Sequence, residues 1–147
     1  LARYGGLTYR ELMHDYERNL EVCQRVLLDF DPDVTGPLVL ITAMGRSLEA
    51  LDFKQVQWPG HGVADDKPYQ YLDGEYMRPE EYDEFSFDPT GYYLRKYLPR
   101  VAGAFEGFDQ LPSFPGLHYF RLVNGIRPFA RPEVRQSFER LVKAGLL

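Results

Sequence analysis

Apolar residues recur at three- and four-residue spacing through Leu12, Tyr16, Leu20, Cys23, Val26 and Leu27, which predicts one amphipathic helix ending near Asp29. Ahead of it Thr8-Tyr9-Arg10-Glu11 reads as a capping box, with Leu7 and Leu12 at the staple positions. The pattern then changes. PLVLIT, residues 37–42, is a near-continuous apolar run of the kind a parallel strand buried on both faces requires. It breaks at Met44-Gly45, resumes as the helical RSLEALD, and gives way to an alternating stretch from Phe53 to Trp58 that predicts a second strand beside the first.

Beyond Gly62, Asp73-Gly74 lies between two short aromatic runs, which suits either a hairpin turn or an irregular excursion. Two helix starts follow, one at Pro79-Glu80-Glu81 and one at Asp88-Pro89, the second carrying Tyr92, Tyr93, Leu94, Tyr97 and Leu98 towards Val101. Pro99 is expected to kink or end that helix. Residues 103–118, rich in Gly and Pro, read as a long loop. Arg131-Pro132-Glu133 opens a last helix with Val134, Phe138, Leu141 and Val142 on one face and Gly145 as its C-cap. The chain is therefore read as α/β, with few strands and about four or five helices, folded as a single domain over 1–147.

Composition narrows the function classes. The chain has 147 residues, 44% of them apolar and 27% charged, enough for one core. Its net charge of -5 argues against a nucleic-acid surface, which needs concentrated Lys and Arg to displace counterions. Cys23 is the only cysteine, so no internal disulfide forms; its place in a helical pattern suggests a buried thiol, and a reducing cytoplasm fits best. No apolar run approaches the roughly 18 residues of a membrane span, and no signal-type segment opens the chain. Processing would account for a start at Leu1, and a partial reading frame would account both for that start and for an end in RLVKAGLL.

In parallel α/β folds, ligands are met at the carboxyl ends of strands, so Thr42 to Arg46 and Trp58 to Gly62 are expected to build the site. His61 stands between Gly60 and Gly62, where the backbone can approach a ligand and the imidazole can move a proton; the plainer reading is an exposed loop histidine. Arg46, at a helix start, could receive a carboxylate or phosphate, or simply pair with Glu49 or Asp52. The candidate set is thus His61 and Arg46 for catalysis, with Thr42, Met44, Trp58 and Tyr71 for substrate. His14 and His118 rank below His61, and the spacing of the three histidines matches no metal motif. Glu80, Glu81, Asp83 and Glu84 read as a solvated helix start before a catalytic carboxylate pair. No phosphate loop, nucleophile elbow or CxxC pair is present.

Taken in order, the capped helix, the DFDPDV turn, PLVLIT, SLEALDFKQVQWPG and YQYLDGEYMRPEEYDEFSFDPTGYYLRKYLPR resemble the uroporphyrinogen decarboxylase family. Its decarboxylase-like and corrinoid methyltransferase-like members are the nearest in flavour. The resemblance is densest over residues 6–101 and thins after Phe105. It implies a (β/α)8 TIM barrel, which takes about 250 residues, so this chain corresponds to a partial barrel, the amino-terminal portion. Uncovered sheet edges would favour a homo-oligomer. Decarboxylases of the family carry an Asp six residues before the pair matching Glu49-Ala50, where it holds the substrate's pyrrole nitrogens; here that position is Ala43. The resemblance therefore implies a parent that is a corrinoid-linked methyltransferase or a tetrapyrrole decarboxylase, acting on a small molecule or a corrinoid protein. The zinc ligands of the methyltransferase branch lie in later segments, so zinc and a corrinoid belong to the parent and no cofactor to this segment, which is expected to be inactive alone. The alternative is a non-enzymatic binding or homo-oligomeric assembly module.

Overall fold

Thr8 caps α2 (Tyr9–His14) as its sequence predicts: the Glu11 amide donates to Thr8 Oγ1 at 3.1 Å, and the Thr8 amide donates to Glu11 Oε2 at 2.9 Å. A short α1 (Ala2–Gly5) precedes it, and α3 (Tyr16–Phe30) follows. The single helix expected over this region is broken at Asp15. Its backbone is extended, its amide closes α2 on the Glu11 carbonyl, and its carboxylate accepts from the Arg18 amide at 3.1 Å to open α3. A side chain that offers the backbone its own acceptor ends one helix and starts another. The break also turns the buried stripe. Asn19, Val22 and Cys23 face inward, and Leu20, placed in the stripe by spacing, is exposed.

The computed structural model describes residues 1–36, 38 and 42–145. These sort into two units, Leu1–Glu49 with Val56–Leu72, and Ala50–Gln55 with Asp73–Leu147. Of the predicted strand at 37–42, Pro37 and residues 39–41 lie outside the described residues. Leu38 and Thr42 are helical rather than extended, and Thr42 Oγ1 donates to the Leu38 carbonyl at 2.8 Å, the back-bond of a helical threonine.

In the first unit, α4 (Gly45–Leu51) carries the chain across the boundary, and β1 (Val56–Pro59), β2 (Gly62–Val63) and β3 (Gln70–Tyr71) form a sheet in the order β2-β1-β3. Trp58 lies opposite Gly62 in parallel register, and Val56 opposite Tyr71 antiparallel. The turn between β1 and β2 is made by Gly60 and Gly62, both at φ 85°, where a side chain would be strained. The expected strand at 53–58 starts three residues late, since Phe53 instead bridges Ala102 within the second unit. No hairpin forms at Asp73-Gly74: β3 pairs back onto β1 and residues 72–78 enter no strand. The core of this unit gathers Leu12, Met13, Val22, Cys23, Val56 and Trp58, with α2 against β1. The fold is thus mixed α/β with helix predominant, and among the described residues no barrel is formed.

In the second unit a 3-10 turn at Pro79–Glu81 leads into α5 (Tyr82–Phe87). Asp88 then caps α6 (Pro89–Tyr92), accepting from the Gly91 amide at 2.8 Å. Between α6 and α7 (Leu98–Val101) runs a π-helical turn, Tyr93–Tyr97, in which the Leu98 amide reaches the Tyr93 carbonyl five residues back. Pro99 explains it. A proline inside a helix offers no N–H and crowds the carbonyl four residues earlier, and widening the preceding turn relieves both faults before the helix ends. The stretch expected as loop coils instead, as a 3-10 run at Gly103–Gln110 and α8 (Phe114–Leu117), followed by α9 (Leu122–Gly125) and α10 (Pro132–Ala144). Gly107 is where α10 meets the 3-10 run: a Cβ there would stand 2.1 Å from the Glu133 carbonyl oxygen, and its amide donates to the buried Ser137 Oγ at 2.9 Å. That contact fixes the inward face of α10: Val134 is buried as its spacing predicts, Ser137 joins it, and of the other apolar positions Phe138 is part-exposed against Phe108 and Val142 is exposed.

Candidate functional site

The carboxyl end of α2, the break at Asp15 and the start of α4 enclose an open cleft of about 610 Å³ in the first unit. Arg10 and Arg46 line it as cations, Glu11, Asp15 and Glu17 as anions, His14 contributes an imidazole and Tyr16 an aromatic face. Arg10 and His14 are four residues apart on α2, the spacing that puts both on one side of a helix.

Most of these charges are already engaged. His14 Nδ1 lies 3.1 Å from the Arg10 carbonyl, and its Nε2 lies 3.0 Å from Glu49 Oε1. His14 is thereby a bridge from α2 to α4, with no ring nitrogen left over for a ligand. The ring fits because residue 45 is glycine: an added Cβ would sit 2.5 Å from it. Glu11 is taken by Thr8 and by Arg18 Nη1 at 2.5 Å, bonds that hold its carboxyl below the ordinary glutamate range, the Thr8 backbone bond foremost. Asp15 caps α3, and Arg10 reaches Asp65 at 3.4 Å.

Arg46 is different. Its guanidinium stands 4.8 Å over the Tyr16 ring, and among the described residues no carboxylate pairs with it. The two partners expected on the plain reading are occupied elsewhere, Glu49 with His14 and Asp52 with Arg140 at 3.8 Å. An arginine laid on an aromatic face keeps its in-plane N–H groups outward, in the fork that matches a carboxylate or phosphate. Among the described residues, the cleft therefore presents a guanidinium that is held by a ring and has no ion-pair partner.

The other sequence candidates are not gathered here. Trp58 is 1% exposed and belongs to the core, away from the cleft lining; its Nε1 has no hydrogen-bond partner among the described residues. His61 is exposed and stacks on Trp58, centroids 4.2 Å apart and planes 12° apart, and does not line the cleft. Thr42 is engaged with Asn19 and Leu38, Met44 is half-buried away from the lining, and Tyr71 lies exposed on β3 against Tyr69. Of the expected contact loops only Arg46 reaches the cleft. Its platform, Tyr16, carried no chemical signal in the sequence because its spacing placed it in an apolar stripe.

The second unit holds the other charged assembly. Glu81, 8% exposed, receives Arg100 through two bonds, Nη1 to Oε2 at 2.7 Å and Nη2 to Oε1 at 2.6 Å. The Tyr92 hydroxyl donates to Oε2 at 2.8 Å and the Arg78 amide at 3.0 Å. Arg100 also donates to the Tyr76 carbonyl at 2.9 Å. Arg100 first, then the Arg78 amide, hold the Glu81 carboxyl far below its usual range, and Glu81 in turn raises the guanidinium. With both carboxylate oxygens filled, this is a structural clasp and offers no group for proton transfer.

Among the described residues no three His, Cys, Asp or Glu side chains come together as a metal site. Cys23 is buried and donates to Asn19 Oδ1 at 3.3 Å, and burial pushes its thiol up, away from the reactive thiolate. Among the described residues no helix is long and apolar enough to cross a membrane. Compared with known proteins, the chain matches no family model, no curated protein and no solved structure.

Proposed function

We propose that this chain is the amino-terminal portion of a uroporphyrinogen decarboxylase-like protein and that its contribution is to hold an anionic group of the ligand at Arg46. The order and wording of the segments from residue 6 to residue 101 support the family reading. The observation that carries the binding role is the Arg46 guanidinium, seated on Tyr16 with no carboxylate partner among the described residues and open to the cleft. A tetrapyrrole with carboxylate arms or the carboxylate of a methyl-group donor both suit such a fork. In this reading the strands that complete a barrel, and any zinc or corrinoid, come with the parent. Ala43, unable to accept from a pyrrole N–H through its side chain, favours methyl transfer over decarboxylation.

Titration of the chain with uroporphyrin, followed by porphyrin fluorescence, tests the binding role. The wild type binds, and Arg46→Ala weakens binding by roughly 10- to 100-fold, as expected for one charge-assisted arginine–carboxylate contact. Equal affinity of the two proteins would remove Arg46 from the account.

A further inference from the structure

We infer that the second unit pairs with a second copy of this chain about a two-fold axis, the acidic segment 73–88 of each copy meeting the basic segment 110–132 of the other. The inference stands apart from the family reading. From Asp73 to Asp88 there are seven carboxylates and a single arginine; from Gln110 to Pro132 there are three arginines and no carboxylate at all. Glu81, Glu84 and Asp88 are used internally, by Arg100, Lys96 and Arg95. Glu80 and Asp83 are exposed, and among the described residues no cation pairs with either. On the basic side Arg121 and Arg127 are likewise exposed, with no carboxylate paired to them among the described residues.

Both segments also carry large apolar side chains into solvent. Phe87 is 83% exposed, Phe120 91% and Val123 75%, with Leu122 and Ile126 half-exposed beside them. Apolar surface clustered in this way marks an association face rather than a solvated one. The two segments adjoin within one molecule: Phe87 shares an apolar cleft of about 490 Å³ with Pro115, Phe120 and Arg121. A two-fold axis through that cleft sets each acidic segment against the other copy's basic segment and closes the aromatic cleft twice over. An isologous interface demands that reciprocity, each surface being complementary to the other on the same chain. A partner of a different kind would have to supply both charges itself; a second copy has them in the right order.

The test is sedimentation of the full chain over a concentration series. The wild type shifts from 17.1 kDa towards twice that mass. The shift shrinks when salt rises from about 0.1 M to about 1 M, which shortens the Debye length from about 10 Å to about 3 Å. Arg121→Glu with Arg127→Glu weakens pairing by more than about 100-fold, as does Glu80→Arg with Asp83→Arg, since each sets like charges across the interface. An equimolar mixture of the two reversed proteins pairs again, because every contact in that heterodimer is once more opposite in sign. All four positions are exposed, so circular dichroism matching the wild type is expected for each variant. A wild type that stays monomeric, a dimer indifferent to both reversals, or a mixture that fails to pair overturns the inference, as does association with anionic lipid vesicles by a chain that stays monomeric in solution.

Discussion

Two assemblies of charge, one in each unit, differ in what is left over. Around Glu81 every oxygen is filled: Arg100, Tyr92 and the Arg78 amide converge on one buried carboxylate. Around Arg46, Glu49 is taken by His14 and Asp52 by Arg140, and among the described residues the guanidinium has no ion-pair partner. The first arrangement stabilises the fold and leaves no chemistry free, because removing water from two charges is offset only by complete mutual satisfaction. The second makes no ion pair among the described residues and leaves the guanidinium N–H groups open, which is what the proposed binding role requires. Conspicuous charge in a sequence, such as EEYDE, is therefore a poor guide to function until its partners are known.

That contrast can be attacked at several points. The largest effect is expected from Arg100→Met, which leaves the Glu81 carboxylate buried without its partner and lowers stability by about 3 kcal/mol in urea unfolding. Acid comes next. The Glu81 carboxyl is depressed in the folded state, so its contribution is fully present above the unfolded value near 4.5 and is lost as pH falls below it towards the folded value. Glu11 and Glu106, held down by Thr8 and by Lys54 respectively, act in the same direction. Urea midpoints measured at falling pH should drop below pH 4.5, and the drop should be smaller in Arg100→Met, where the main cause of the depression is gone.

Tyr92→Phe removes one donor from Glu81 and keeps the ring, at a cost of about 1.5 kcal/mol for a hydrogen bond to a charged acceptor. Thermal melts compared with the wild type measure it. The smallest change is Arg46→Ala, expected to alter stability by less than about 0.5 kcal/mol because the side chain is exposed and makes no ion pair among the described residues. A loss as large as that of Tyr92→Phe would show Arg46 to be part of the fold's support.

How much of this was legible beforehand follows from the range of each interaction. Local signals read correctly: the Thr8–Glu11 capping box, Asp88 with Pro89 at a helix start, and Pro132 opening α10 all depend on residues within four positions of one another. The break at Asp15 was equally local and was masked by apolar spacing that ran straight through it. What failed was non-local. Glu81 and Arg100 are 19 residues apart, and His14 and Glu49 are 35 apart, so no pattern in either neighbourhood announces them. Trp58 was read both as the end of an alternating strand and as part of a contact loop with His61; the alternation that sets Val56 and Trp58 on one face was the reading the burial follows. Arg46 was found by its place at a helix start; that it lacks a partner appears only once Glu49 and Asp52 are seen to be taken.

The central claim is that function resides in the unsatisfied cation and stability in the satisfied clasp, and a paired experiment on two variants tests it most directly. Uroporphyrin affinity and melting temperature are measured together for Arg46→Ala and Tyr92→Phe. The account predicts that Arg46→Ala loses affinity at an unchanged melting temperature, while Tyr92→Phe melts earlier and, at a temperature where it is folded, binds as the wild type does. Binding lost in Tyr92→Phe and retained in Arg46→Ala would contradict it.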